Sequence, residues 1–402
     1  MLIKSTTIKI TSIILITIFI GCSEESSTQS KETYERGEII ESKNLQTYSV
    51  NEIQFALTLF GITEDMNLQY PVKAVSITYQ TSDVNGKLIE ASGALLVPVS
   101  SSVFPLLSIQ HGTETKRTSV ASVSAISSIE GVSGLITGSK GYVTCVPDYP
   151  GFGVSTEIHP YVHAKSLAIS VIDFLVAAKN YCADNNIVLN EQLFLGGYSE
   201  GGYATLATQK EIEQKYSQFN ITAVAPMAGP YDLLGTADLI LQKTEYQSPT
   251  YIAYLFTAYD EIYQWDRLDD IFTDAYSGRM HNFFDGSMSY SEINNELPTT
   301  ISLLLKDDFI TGFLNRTDTT VIATFQENTL LDWTPFAPIR FFHGDADETV
   351  PFQNALTAKD TLLTNGATQI ELVTIEGGTH STAGLPAVLG MIEWFDSFQS
   401  LP

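Results

Sequence analysis

Gly197-Tyr198-Ser199-Glu200-Gly201 sets a serine between two glycines, after the apolar run Leu193-Phe194-Leu195 and before an amphipathic helical pattern. A serine hydroxyl is a weak nucleophile, so it needs a base to take its proton and a geometry that exposes it. A sharp strand-turn-helix provides that exposure, and glycines two residues either side let strand and helix pass closely. The helix start also offers oriented N–H groups and a partial positive charge where an oxyanion would develop.

The matching base is His380, in Glu376-Gly377-Gly378-Thr379-His380 just past the last apolar run. Its neutral ring can accept the serine proton and return it to a leaving group near pH 7. The matching acid is Asp347, in His343-Gly344-Asp345-Ala346-Asp347-Glu348-Thr349-Val350-Pro351, with Asp345 and Glu348 as local competitors. The chain order is serine, acid, histidine, each following a strand-like run. An oxyanion needs two N–H donors. Glu200 N–H is one, and Thr113, in Gln110-His111-Gly112-Thr113, is the other, with Gly112 as the alternative.

These residues need a scaffold. Val72–Gln80 and Leu88–Val97, separated by Asp83-Val84-Asn85-Gly86, read as an antiparallel hairpin. Apolar runs recur at Phe104–Ile109, Tyr142–Val146, Leu193–Leu195, Ile221–Ala225, Ile339–Phe342 and Ile370–Ile375, six candidate parallel strands. Helical patterns fall near 120–128, 164–181, 199–215, 353–364 and 383–398. The fold class is therefore α/β, of the α/β-hydrolase kind: a mostly parallel sheet with helices on both faces. The core comprises residues 51–229 and 336–402.

Residues 230–335 interrupt that rhythm. They are too long for a crossover and rich in aromatics, and they read as a mostly helical cap inserted before the acid-bearing strand end, over the strand termini where such sheets bind ligands. Tyr198 beside the nucleophile and Tyr251, Tyr254 and Trp265 of the cap are the candidate substrate-binding residues; the aromatics could equally form the cap's own core.

Residues 1–21 combine a basic start (Lys4, Lys9) with an apolar run too short to span a bilayer, a signal-peptide pattern. Gly21-Cys22 resembles the lipobox of bacterial lipoproteins, so Cys22 is the candidate lipidation site, with residues 22–50 as its tether. The expectation is an exported lipoprotein held at a membrane by this anchor only, at the outer membrane, cell surface or periplasm. Cys145 and Cys182 could then form a disulfide or remain buried thiols.

With 46 acidic against 21 basic side chains the net charge is −25, which argues against nucleic acid as a partner. His159 and His163 are four apart, but Pro160 lies between them and no companion ligand is evident, so no metal is expected. Serine acyl transfer requires no cofactor.

A wider set of motifs carries a resemblance. Tyr79-Gln80-Thr81-Ser82-Asp83 with Asn85-Gly86-Lys87, Gly93-Ala94-Leu95-Leu96-Val97-Pro98, Asp148-Tyr149-Pro150-Gly151, Gly197-Tyr198-Ser199-Glu200-Gly201-Gly202 and Trp333-Thr334-Pro335 resemble the secretory lipase family of α/β hydrolases. The similarity covers most of Val72–Phe398. It implies esterase or lipase activity, a helical cap forming the acyl site, and Ser199, Asp347 and His380 as the catalytic residues. At the first oxyanion loop, where family members carry an acidic residue, this chain has Gly112-Thr113-Glu114.

The function expected is hydrolysis of carboxylic esters, whether small-molecule, lipid or polysaccharide, by a Ser-His-Asp acyl-enzyme route. A prolyl-oligopeptidase-type peptidase also uses Gly-x-Ser-x-Gly-Gly, but only about 50 residues separate the anchor at Cys22 from the first expected strand and no propeller repeats occur. A surface binding protein on a hydrolase scaffold is the non-enzymatic alternative, and a complete set of three catalytic side chains argues against it.

Overall fold

Apolar β-branched runs that are buried on both faces pair in parallel, and the intervening amphipathic segments cover them. The computed structural model describes residues 35–62, 66–126 and 128–399. The signal segment, Cys22 and the tether up to residue 34 lie outside the described residues. In chain order the strands are β1 (Ile39–Tyr48), β2 (Val72–Ser82), β3 (Leu88–Pro98), β4 (Phe104–Gln110), β5 (Val143–Pro147), β6 (Leu189–Tyr198), β7 (Ile221–Met227), β8 (Ile339–Gly344) and β9 (Ile370–Ile375). They form one sheet in the order β1-β2-β3-β5-β4-β6-β7-β8-β9. β2 and β3 are the expected hairpin, and the six runs expected to be parallel are the parallel strands β5, β4, β6, β7, β8 and β9.

The first helices are α1 (Val50–Leu59), α2 (Ile129–Ser139), α3 (Ala164–Asp184) and α4 (Glu200–Lys215). Between β7 and β8 come α5 (Leu233–Leu241), α6 (Pro249–Tyr263), α7 (Leu268–Ile271), α8 (Met280–Phe283), α9 (Tyr290–Glu296), α10 (Ile301–Leu304), α11 (Asp307–Leu314) and α12 (Thr319–Glu327). The chain closes with α13 (Gln353–Thr364) and α14 (Gly384–Asp396). Helices α1, α2 and α14 pack on one face of the sheet and α3, α4 and α13 on the other, each face with its own buried core. α3 is long and apolar enough to cross a membrane, but 78% of its most apolar stretch is buried inside the protein.

Two expectations fail here for local reasons. Ile39–Tyr48, counted with the tether, forms β1, paired antiparallel with β2 along its length. Its residues are mostly exposed, as an edge strand's are, so composition alone made it look unstructured. The described residues 120–126 form turns and bends rather than a helix, and the helix is α2, capped by Ser128, whose hydroxyl accepts from Gly131 N–H at 3.0 Å. Its glycines lower helix propensity, yet they allow close approach to the sheet. A Cβ at Gly134 would lie 3.0 Å from the Leu96 side chain, and one at Gly138 would lie 3.0 Å from Val72.

The eight helices between β7 and β8 return to the point they left. Leu330 N–H donates to Tyr231 C=O at 2.9 Å, and Tyr203 Oη of α4 donates to Asn328 C=O at 2.6 Å. Asp232 caps α5 through Gly235 N–H, and Pro249 occupies the first turn of α6, where a missing N–H costs nothing. The apolar side chains of these helices share one core with α3, α4 and α13.

If close approach is why α2 keeps its glycines, Gly134→Leu overpacks the α2–sheet contact. It then lowers stability by about 1–3 kcal/mol despite a gain of about 0.8 kcal/mol in helix propensity. Urea unfolding measures this, and a raised midpoint would contradict the close-packing account.

Candidate active site

β6 ends at Tyr198 and α4 begins at Glu200, so Ser199 makes the turn between them alone. Its backbone lies at φ 60°, ψ −122°, a conformation that costs a non-glycine residue on the order of 1–3 kcal/mol and persists only where its surroundings enforce it. The enforcement is visible. Ser199 N–H donates to Met227 C=O on β7 at 2.8 Å, and a Cβ on Gly197 or Gly201 would collide with the Gln110 carbonyl at the end of β4. The hydroxyl therefore stands above the strand ends at the start of a sixteen-residue helix.

His380 follows β9, and Tyr198 Oη donates to its carbonyl at 2.7 Å, tying the histidine loop to the turn. His380 Nε2 lies 2.8 Å from Ser199 Oγ, and Nδ1 lies 2.6 Å from Asp347 Oδ2. With the proton on Nδ1, that N–H donates to the carboxylate and leaves Nε2 free to accept from the serine.

Asp347 is buried, whereas Asp345 and Glu348 are exposed. Asp345 Oδ1 accepts Gly377 N–H at 2.7 Å, which joins the acid and histidine loops without reaching the imidazole. Asp347 Oδ1 accepts the N–H groups of Thr349 (2.9 Å) and Val350 (3.0 Å). Its Oδ2 accepts from His380 and from His343 Nε2 at 3.2 Å. Burial alone would raise this carboxyl's pKa, but the hydrogen bonds from His343 and His380 hold it down to about 2. A depressed carboxylate stabilises the fold fully above its ordinary value of about 4 and loses that contribution only as pH falls through about 2.

The second loop facing Ser199 is Gln110-His111-Gly112-Thr113. Both His111 ring nitrogens face carbonyls, Nδ1 that of Gly112 at 2.7 Å and Nε2 that of Asp148 at 2.9 Å. Carbonyls only accept, so each contact calls for a ring N–H, an arrangement that favours the protonated ring. Burial opposes that charge, but Glu130, the two carbonyls and Glu200 together raise the pKa above its ordinary value. Gly112 N–H donates to Glu130 Oε1 at 3.1 Å and is committed there. The N–H of Thr113 shares a trans peptide with the Gly112 carbonyl and points opposite to it. It has no acceptor among the described residues, and neither has Glu200 N–H. Of the two alternatives for the second donor, this geometry favours Thr113.

Ser199 lies where two cavities meet. One, of about 70 Å³, runs under the cap between Leu233, Ala237, Ile240, Ile252 and Phe256. The other, of about 410 Å³, is bounded by the oxyanion loop, α2, α14 and the His380 loop. Tyr251 lines both, and Tyr198 lines the larger. Tyr254 and Trp265 line neither, contrary to expectation. Tyr254 is stacked between Tyr161 (4.5 Å) and Phe284 (4.4 Å), and Trp265 lies against Tyr263, so both are packing residues of the cap.

Sequence reasoning passed over His111, His343, Glu130 and the buried His159–Glu200 pair, whose Nε2 and Oε1 are 2.7 Å apart. His111 and His343 each directly precede a glycine at a strand end, the one signal that could have drawn attention to them. The other contacts join residues far apart in the chain. Cys145 and Cys182 are both buried free thiols. Among the described residues no cluster of three metal-ligating side chains occurs.

If His111 holds the Gly112–Thr113 peptide, His111→Asn should lower kcat of the ester hydrolysis proposed below by about ten- to a hundredfold with little change in KM. Complete loss of an oxyanion donor costs about 10²–10³. Because the imidazolium's pKa is raised, its hold is complete below about pH 6.5 and weakens as pH rises through the folded value. The wild-type alkaline limb should therefore steepen relative to His111→Asn, and identical pH–kcat profiles would count against the clamp.

No protein-family model matches the chain, and no curated protein does. Solved structures do. A Legionella pneumophila protein assigned to the hydrolases has 25% identity over 91% of this chain and all of its own, with a TM-score of 0.85. The rice cell wall degrading esterase LipA from Xanthomonas oryzae has 28% identity over 90% of this chain and 98% of its own, with a TM-score of 0.81. Candida antarctica lipase A, at 15% identity and a TM-score of 0.69 over 92% of this chain and 84% of its own, shares the fold. The chain has the α/β-hydrolase fold, and its structural neighbours are of the esterase and lipase type.

Proposed function

We propose that this protein is a serine hydrolase of carboxylic esters, with Ser199 as nucleophile, His380 as general base and acid, and Asp347 as the buried carboxylate. The observation that carries the reading is the continuous chain of hydrogen bonds from Ser199 Oγ to His380 at 2.8 Å and on to Asp347 at 2.6 Å. Its open end faces two cavities. Ser199 attacks the ester carbonyl as its proton passes to His380 Nε2. The oxyanion is received by the N–H groups of Glu200 and Thr113, aided by the α4 N-terminus. Asp347 stabilises the imidazolium that forms, and its low pKa keeps it ionised while it does so. Water then repeats the sequence and releases the acid. The esterase and lipase neighbours support ester chemistry at such a site.

Ser199→Ala should leave the fold intact and reduce hydrolysis of nitrophenyl esters by on the order of 10³-fold or more. Asp347→Asn should cost on the order of 10⁴ in kcat, while Asp345→Asn should cost less than about tenfold. Retention of more than a tenth of activity by Ser199→Ala would sink the assignment, and cleavage of aminoacyl anilides in preference to esters would make the protein a peptidase.

We also propose that residues 1–21 direct export and that lipidated Cys22 anchors the protein to a membrane. The pattern of basic start, short apolar run and Gly21-Cys22 supports this. Metabolic labelling with radioactive palmitate should mark the wild type and not Cys22→Ala, which should move to the soluble fraction. An unlabelled wild type would mean an ordinary secretory signal.

A further inference from the structure

The two cavities that meet at Ser199 differ in size, lining and access to the base. His380 lines the larger and is absent from the smaller. That asymmetry assigns the two halves of an ester. When the tetrahedral adduct collapses, the bond from carbon to the alcohol oxygen breaks, and that oxygen must take its proton from His380 Nε2. The alcohol must therefore lie on the His380 side. The acyl carbon, now bonded to Ser199 Oγ, carries its chain away from His380 and under the cap. Water later enters by the side the alcohol has left, gives a proton to Nε2, and the bond from carbon to Oγ breaks as the proton returns to Ser199.

Resting on the ester-hydrolase reading and on the acyl site under the cap that the family resemblance implies, we propose that the larger cavity is the alcohol site and that the preferred substrates are esters of short-chain acids with bulky, uncharged alcohols. The small cavity sets the acyl limit. A water-sized group needs on the order of 10–15 Å³ of such space, so about 70 Å³ holds a chain of roughly four to six carbons. Its far wall is closed by fully packed cap side chains: Phe256 is 2% exposed and packs edge-on against Phe309 at 4.9 Å. The large cavity, at about 410 Å³, accepts a far larger group between apolar residues such as Phe60, Ile129 and Leu385. Its acidic residues are Glu114 and Glu130, and no lysine or arginine lines it. An alcohol bearing phosphate or carboxylate would meet two carboxyl side chains and no lysine or arginine, in a protein of net charge −25.

Two series of esters test this on the full chain. In the first, nitrophenyl esters carry acids of two to twelve carbons. In the second, butyrate is held constant while the alcohol grows from methyl to a fused-ring alcohol, and a phosphate-bearing alcohol is added. The expected result is that kcat/KM falls by about tenfold or more between six and ten acyl carbons. It is maintained or raised as the neutral alcohol grows, and drops by about tenfold or more when the alcohol is anionic.

Ile240→Ala should move the acyl optimum to longer chains and Ala237→Leu to shorter ones, both without altering alcohol preference. Leu385→Trp, at the mouth of the large cavity, should penalise bulky alcohols and leave the acyl optimum in place. If acyl length responds to Leu385→Trp and not to the cap variants, the assignment is reversed and the proposal fails. Equal turnover of long and short acyl esters, or of anionic and neutral alcohols, also overturns it. If no ester is cleaved while a phosphonate still labels Ser199, the ester-hydrolase reading falls first and this assignment with it.

Discussion

The close crossing of β6, α4 and the end of β4 at Ser199 is the constraint on which the rest of the site depends. Three backbones meet there with no room for a Cβ at Gly197 or Gly201, and Ser199 takes up the strain in its own φ and ψ. That geometry places the hydroxyl at the N-terminus of α4, fixes the Glu200 N–H beside it, and brings the Gln110-His111-Gly112-Thr113 loop opposite. Relaxing the crossing by a single methyl group would displace the hydroxyl and both N–H donors together. The strain is sustained because Ser199 N–H is bonded to β7 and the β4, β6 and β7 pairings are buried on both faces.

Around this crossing the protein buries charge where its surface repels it. The −25 net charge is a property of the solvated exterior. Within the site hydrogen-bond partners orient His111 and Asp347 and bias their ionisation. Both His111 ring nitrogens face carbonyls, which favours the protonated ring, and Asp347 is held anionic by two backbone N–H groups and two imidazoles. Isolated buried charges would neutralise themselves by shifting their pKa values. The hydrogen-bond partners are what keep a carboxylate ionised near His380 and an N–H free at Thr113.

The six parallel strands and the hairpin were legible because apolar β-branched runs bounded by turn residues have few alternative structures. Ser199, Asp347 and His380 were nameable from their positions after such runs, and the structure places them within hydrogen-bonding distance of one another. What could not be read were features set by packing. Gly134 and Gly138 lower the helix propensity of α2 while serving its contact with the sheet, and the apolar pattern placed the helix too early. β1 is polar because it is an edge, and looked like tether. Tyr251, Tyr254 and Trp265 are equivalent as aromatic residues in sequence. Only three-dimensional packing sends Tyr251 to the cavities and the other two into ring stacks.

The insertion after β7 follows from the same topology. A hydroxyl raised above the strand ends is open to water on every side unless something is built over it. The connection from β7 to β8 is the one that can do so without disturbing the acid loop, because it ends where β8 begins. Tyr246 Oη of this segment donates to Thr349 C=O at 2.9 Å, and Asn354 at the start of α13 accepts Asp232 N–H at 2.8 Å, so cap and acid loop are fastened together. The segment that shapes the small cavity is thus bonded to the loop that carries Asp347. A change in cap packing large enough to alter the cavity will also be felt at the carboxylate.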